Sequence, residues 1–263
     1  MSDDPGENTM SFWEHLEELR RRIFKMMAAF VVGAALGWVF RERLLTILTE
    51  PFVRAWANGH VNGKASLHFP APASLFIAYV KLALLAGFVM ALPIILYQVW
   101  AFVSPGLYSK EKRYALPFVV ASCGLFALGG YFGWRVAFPI AFQYLLGFSG
   151  PVGAQGFQVT PTVMIGDYIQ FVTQMLLAFG SVFELPVLVF FLSVAGLVNH
   201  RNLIKFGRYF VVIAFALSAV LTPPDITSQF LLAVPLCVLY IISIGIAYIF
   251  GKKPEKTPEN KAS

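Results

Sequence analysis

The sequence predicts an all-α polytopic membrane protein with six transmembrane helices and both termini in the cytoplasm. Three observations carry that prediction. The 263 residues are 58% hydrophobic and 13% charged, with a mean hydropathy of +0.70, whereas an average soluble domain has roughly 25% charged residues. Six apolar runs follow one another along the chain, separated by charged or turn-forming residues. The basic residues are sorted by side. Arg20, Arg21, Arg22, Lys25; Lys110, Lys112, Arg113; Arg201, Lys205, Arg208; and Lys252, Lys253, Lys256, Lys261 fall at the termini and in the even-numbered loops. The odd-numbered loops hold only Arg41, Arg43, Arg54 and Lys64, all in the first. Basic residues stay on the cytoplasmic side, which fixes the orientation.

The elements follow in order. Residues 1–22 read as a cytoplasmic N-terminal segment, polar up to residue 10 and then an amphipathic helix. Ser11 and Glu14 have the spacing of a capping box, and Phe12, Leu16, Leu19 and Ile23 recur at helical spacing. Glu14, Glu17 and Glu18 lie on its other faces, an unexpected choice beside anionic lipid, where basic residues are favoured. Residues 23–250 form the six-helix transmembrane domain, with spans at 23–40, 75–102, 114–148, 165–198, 209–221 and 229–250. A span needs about 20 apolar residues, so the fifth, at thirteen, is expected to stop inside the bilayer or to thin it. The first run follows Arg21-Arg22 like an export signal, but five more spans succeed it, and it is read as a transmembrane helix. The first periplasmic loop, 41–74, is expected to be broken at Glu50-Pro51 and Pro70-Ala71-Pro72, with turns at Asn58-Gly59 and Asn62-Gly63. The second, 149–164, is uncharged and rich in Gly and Pro. Residues 251–263 are expected to be a mobile cytoplasmic tail.

Several function classes lose support here. The basic residues are divided among loops instead of forming one face, which argues against nucleic acid. Cys123 and Cys237 both fall within spans, and the four histidines share no ligand spacing, so neither a disulfide nor a metal is expected. No phosphate-cradling GxxxxGK[ST] loop, HExxH or GxSxG is present, and no cofactor is expected.

Glu184 is the most informative single residue. It lies near the middle of the fourth span, where a carboxylate costs a few kcal/mol and marks a functional site by default. Pro186 removes a backbone donor two residues later and is expected to kink the helix beside it. The bland alternative is a polar group that joins two helices. Gln170, Thr173 and Gln174 are its few polar neighbours along the span, Lys81 can snorkel to the periplasmic face, and an aromatic belt alone could explain Trp100.

Four stretches together resemble one family. They are His15-Leu16-Glu17-Glu18-Leu19-Arg20-Arg21-Arg22, the run Leu92 to Phe102 with Pro105, Leu107, Tyr108 and Glu111, Phe179-Gly180-Ser181-Val182-Phe183-Glu184-Leu185-Pro186, and Leu221-Thr222-Pro223-Pro224-Asp225 with Ser228-Gln229. The chain from residue 11 to about 250 resembles TatC, the multi-spanning subunit of the twin-arginine protein translocase. The resemblance implies a concave, cup-like helix arrangement in the bacterial inner membrane. It implies a non-enzymatic receptor for twin-arginine signal peptides of folded proteins. Such a receptor nucleates a complex with single-span subunits resembling TatA and TatB, driven by the proton-motive force, and is expected to be a homo-oligomer within it, in contact with membrane lipid. Glu18, Arg20, Arg22, Phe102 and Glu111 match its signal-contacting positions. Thr222 and Gln229 match positions that bind a partner helix, and Gln98, Asp225, Pro51 and Glu184 match further polar or functional positions. The pattern departs at Ala73, Ala219 and residues 55–67. Without the family, the acids still make sense: carboxylates bind guanidinium bidentately, in a geometry that ammonium does not reproduce. A proton-coupled small-molecule transporter, with Glu184 as proton carrier, is the second reading.

Overall fold

The computed structural model describes residues 12–59, 61, 63–103, 115–152, 157–222 and 225–251. The first polar residues, the expected mobile tail from residue 252 on, Pro105, Leu107, Tyr108, Glu111, Pro223 and Pro224 lie outside the described residues. The described chain is overwhelmingly helical, and six stretches are long and apolar enough to cross a membrane. These are Trp13–Val39, Pro72–Phe102, Leu116–Leu146, Ile165–Val194, His200–Leu221 and Ile226–Phe250.

Helix α1 runs from Phe12 to Val39 without interruption, joining the amphipathic segment to the first span. It lies against α3, Pro72–Val103. Small residues set the spacing between the two: a Cβ on Gly87 would stand 2.6 Å from the Ala34 nitrogen, and one on Gly33 would stand 2.9 Å from the Gly87 oxygen. In lipid, close backbone approach of this kind is what holds helices together.

The segment after the first span, expected as a loop, is largely helical. Residues Arg41–Asn58 form α2, and the helix continues through Pro51. Leu45, Leu48, Phe52, Ala55 and Trp56 recur at helical spacing and pack on the core, and that burial outweighs the one hydrogen bond lost at proline. Phe52 meets Tyr168 and Phe142 at ring centroid distances of 5.4 and 5.6 Å. The Ile47 carbonyl, which Pro51 leaves without its helical donor, accepts from Trp134 Nε1 at 2.9 Å. Beside it, the Leu48 carbonyl accepts from the Tyr168 hydroxyl at 2.7 Å.

The third span is built from α4, Ala115–Phe132, and α5, Phe138–Leu146, joined by a π-helical turn at Gly133–Ala137. Pro139, near the start of α5, has no N–H to continue the ladder, and the wide turn absorbs the mismatch. The Gly- and Pro-containing loop that follows carries two short antiparallel strands, β1 at Gly150–Val152 and β2 at Phe157–Val159. The segments that precede α3 and the fourth span are tied together where the His68 N–H donates to the Val163 carbonyl at 2.9 Å and the His68 carbonyl accepts from the Ile165 N–H at 2.8 Å.

The fourth span breaks where Pro186 was expected to kink it, into α6, Ile165–Phe183, and α7, Leu185–Val194, with Glu184 at the junction. Helix α8 runs from His200 to Leu221, 22 residues, capped by the Asn199 side chain. The expected short fifth span is therefore corrected. Its thirteen apolar residues continue a longer helix whose first three turns carry Arg201, Lys205 and Arg208, and the whole of His200–Leu221 is long and apolar enough to cross a membrane. Helix α9, Ile226–Phe250, closes the bundle.

Candidate functional site

The N-terminal part of α1 and the C-terminal part of α3 form one polar cluster. Glu18 and Arg22 are four residues apart and share a helix face. Arg22 Nε donates to Glu18 Oε1 at 3.0 Å, and its Nη2 donates to the same oxygen. The remaining arm, Nη1, crosses to α3 and donates to Gln98 Oε1 at 3.1 Å. Gln98 is only 8% exposed, so Arg22 links the two helices through a buried acceptor and holds the Glu18 carboxylate in one orientation.

Among the described residues, the second Glu18 oxygen, Oε2, is buried without a hydrogen-bond partner, and His15 Nδ1 stands 3.9 Å away. The His15 ring stacks on Phe102, with centroids 4.4 Å apart and planes at 20°. Glu14, Glu17, Glu18, Arg20, Arg21 and Phe24 line a concavity on the same helix end, and the Arg20 guanidinium stands 5.7 Å from the centre of the Phe24 ring. A carboxylate accepts at about four lone-pair positions, and Arg22 occupies only one oxygen. The geometry therefore offers a pre-oriented acceptor to an incoming donor, beside an aromatic surface on which a planar cation can stack. Glu111 falls outside the described residues.

A second set of polar groups lies at membrane depth. Glu184 is half-buried at the α6–α7 break, and Ser122 of α4 is the side chain that faces it. Neither completes a hydrogen bond of sound geometry: Glu184 Oε1 and Ser122 Oγ are both buried without a partner. Lys81 reaches across from α3 and donates to Gln170 Oε1 at 3.2 Å. Trp100 is not an interfacial residue of a belt. It is 5% exposed and packs against Phe118 of α4 and Phe191 of α7.

The third set joins α8 to α9. The Thr222 hydroxyl donates to the Ser218 carbonyl at 2.8 Å, and the Gln229 amide donates to the Phe215 carbonyl at 3.1 Å. Asp225 caps α9 by accepting from Ser228 N at 2.7 Å, which leaves its other oxygen buried without a partner. Pro51 is buried within α2. Among the described residues, no group of three His, Cys, Asp or Glu could hold a metal, and Cys123 and Cys237 are both free.

Residues 14–235 match the family model described as Sec-independent protein translocase protein (TatC). The chain belongs to the TatC family. A TatC of Desulforapulum autotrophicum is 41% identical over 256 residues, covering 97% of this chain and 91% of the relative. A TatC of Aquifex aeolicus is 35% identical over 247 residues, covering 94% and 98%. A crystal structure of the twin-arginine translocase receptor TatC superposes with a TM-score of 0.76 at 36% identity, covering 89% of this chain and 98% of the other. A second, in the detergent DDM, gives 0.77. As a member of this family the chain is a multi-pass membrane protein and a translocase component, not an enzyme.

Seen as a TatC, the chain holds two residues near Glu18 that the signal-site expectation left out. His15 was passed over because it lacks metal spacing, yet it lies three residues before Glu18 and shares its helix face. Gln98 matches a polar or functional position outside the signal-contacting set; its part in the cluster depends on the α1–α3 packing.

Proposed function

We propose that this chain is the receptor subunit of a twin-arginine translocase. In this reading, Glu18 and Glu111 accept the two guanidinium groups of a signal peptide carried by a folded protein, Phe102 supplies the apolar edge, and Arg20 and Arg22 orient the acids. One observation carries it: Arg22 and Gln98 fix the Glu18 carboxylate while its second oxygen, buried near the His15 ring that stacks on Phe102, has no hydrogen-bond partner among the described residues. An orphaned buried acceptor is costly, and a guanidinium is the donor that fits it best. Membership of a translocase family favours this reading over a proton-coupled small-molecule transporter.

The finer parts rest on the same footing. The distribution of Lys and Arg supports a bacterial inner-membrane location with both termini cytoplasmic. Thr222 and Gln229 are the proposed docking positions for single-span subunits of the TatA and TatB kinds, with the proton-motive force as the energy source. Glu184 is proposed to meet a polar residue of a partner or signal helix, with Asp225, Pro51 and Gln98 in supporting roles. The test is capture of a purified folded cargo bearing an Arg-Arg signal, compared with its Lys-Lys version. Selective capture of the first is expected, and equal capture of both contradicts the receptor reading.

A further inference from the structure

Glu184 has a neighbour of its own. The α4–α6 interface runs antiparallel: a Cβ on Gly180 would stand 2.5 Å from the Phe126 ring, and one on Gly129 would run into the Phe179 carbonyl. Stepping four residues back on α4 and four forward on α6 moves one helical turn in the same direction. That step leads from Phe126 and Gly180 to Ser122 and Glu184. One further turn back on α4 is Phe118, whose ring centroid stands 4.7 Å from that of Phe191 of α7, with Trp100 closing over both. The serine thus lies between the Phe126 and Phe118 turns of α4, fully buried, with the half-buried acid at the α6–α7 break beside it.

Ser122 is 0% exposed, its hydroxyl has no hydrogen-bond partner, and it faces a carboxyl oxygen that is likewise buried and unpartnered. Two orphaned polar groups at membrane depth each carry a desolvation cost, and each can relieve the other. A hydroxyl donates and a carboxyl oxygen accepts, so the pair is complementary. We propose that Ser122 is the positioning residue of Glu184: its hydroxyl, directly or through one bridging water, holds the carboxyl group on the α4 side of the helix break. The acid is stored inside the bundle and becomes available to another helix when this contact opens. The test does not depend on signal recognition, because it reads the chemistry of the carboxyl group itself.

The experiment uses the full chain in native membranes and a lipid-soluble carbodiimide, which adds to a membrane-embedded carboxyl group. Labelling of the peptide containing Glu184 is followed by mass spectrometry, with Asp167 and Asp225 as internal references and Glu184→Gln as the blank. Ser122→Ala should label Glu184 about fivefold faster than the parent, the factor one ordinary hydrogen bond is worth. Ser122→Thr, which keeps the hydroxyl, should label at the parent rate. In Ser122→Ala the carboxyl C=O stretching band, identified by its loss in Glu184→Gln, should also move upward as it loses a donor. Labelling and band position both unchanged in Ser122→Ala overturn the proposal. Equal acceleration in the Ala and Thr variants overturns it too, since the effect would then follow packing and not the hydroxyl.

Discussion

Trp134 donates its indole N–H to the Ile47 carbonyl at 2.9 Å, and Ile47 is the residue whose helical donor Pro51 removes. The proline leaves a backbone acceptor without its helical donor, and the π-helical turn of the third span supplies the missing hydrogen bond. Tyr168 adds a second tie one residue later, at Leu48. Helix α2 is thereby stapled to two spans.

This relationship gives a double-mutant prediction. Trp134→Phe should lower stability in detergent by about 1 kcal/mol, the net worth of one hydrogen bond. In a Pro51→Ala background, residue 51 regains an N–H for Ile47, and the same change should cost close to nothing. The check is thermal unfolding of all four proteins; an equal cost in both backgrounds shows that the two residues are not coupled.

The α1–α3 contact should tolerate almost no added volume. A Cβ at position 87 would stand 2.6 Å from one backbone atom of Ala34 and 2.8 Å from another. Gly87→Ala is expected to cost about 1–3 kcal/mol as the helices separate. It should also weaken capture of an Arg-Arg cargo, because the Arg22–Gln98 bond crosses the same interface. Parent-like melting and capture would show that the interface can shift freely.

Partner docking is checked by cysteine crosslinking. Cysteines near Thr222 should link to the amino-terminal, periplasmic end of a single-span partner. The Thr222 hydroxyl and the Gln229 amide already bond to α8 carbonyls, so Gln229→Leu should reduce crosslinking to the partner and also loosen the α8–α9 hairpin. Crosslinks that form only to α1 would reject this docking surface.

At Glu184, Glu184→Gln should retain assembly and part of the export activity, since an amide keeps an acceptor at the same place. Glu184→Leu should assemble and lose export. Export of a folded cargo by the Leu variant at the parent level would reduce the acid to a tolerated packing group.

Much of the architecture was readable before any coordinates. The six spans follow from the apolar runs, and the break at Glu184 follows from Pro186. Helix α2 was obscured because Pro51 and the Asn-Gly pairs punctuate a segment whose apolar stripe only pays off against Phe142 and Tyr168. The fifth span looked too short because Arg201, Lys205 and Arg208 interrupt the apolar run, although a helix can continue past the hydrocarbon with its charged turns in water. The Glu18–Arg22 pair is an i,i+4 relation that one strand of sequence contains. The partners Gln98 and Ser122 are not, because each depends on the register of two helices distant in sequence.

The central claim is that the free oxygen of Glu18 receives a signal arginine. It is tested most directly by binding of Arg-Arg and Lys-Lys signal peptides to the full-length parent and to Glu18→Gln, measured as a thermodynamic cycle. A charge-assisted hydrogen bond is worth about 1.5–3 kcal/mol, so Glu18→Gln should weaken Arg-Arg binding by roughly 10- to 100-fold and leave the weak Lys-Lys binding nearly unchanged. Equal losses for the two signals would contradict the account.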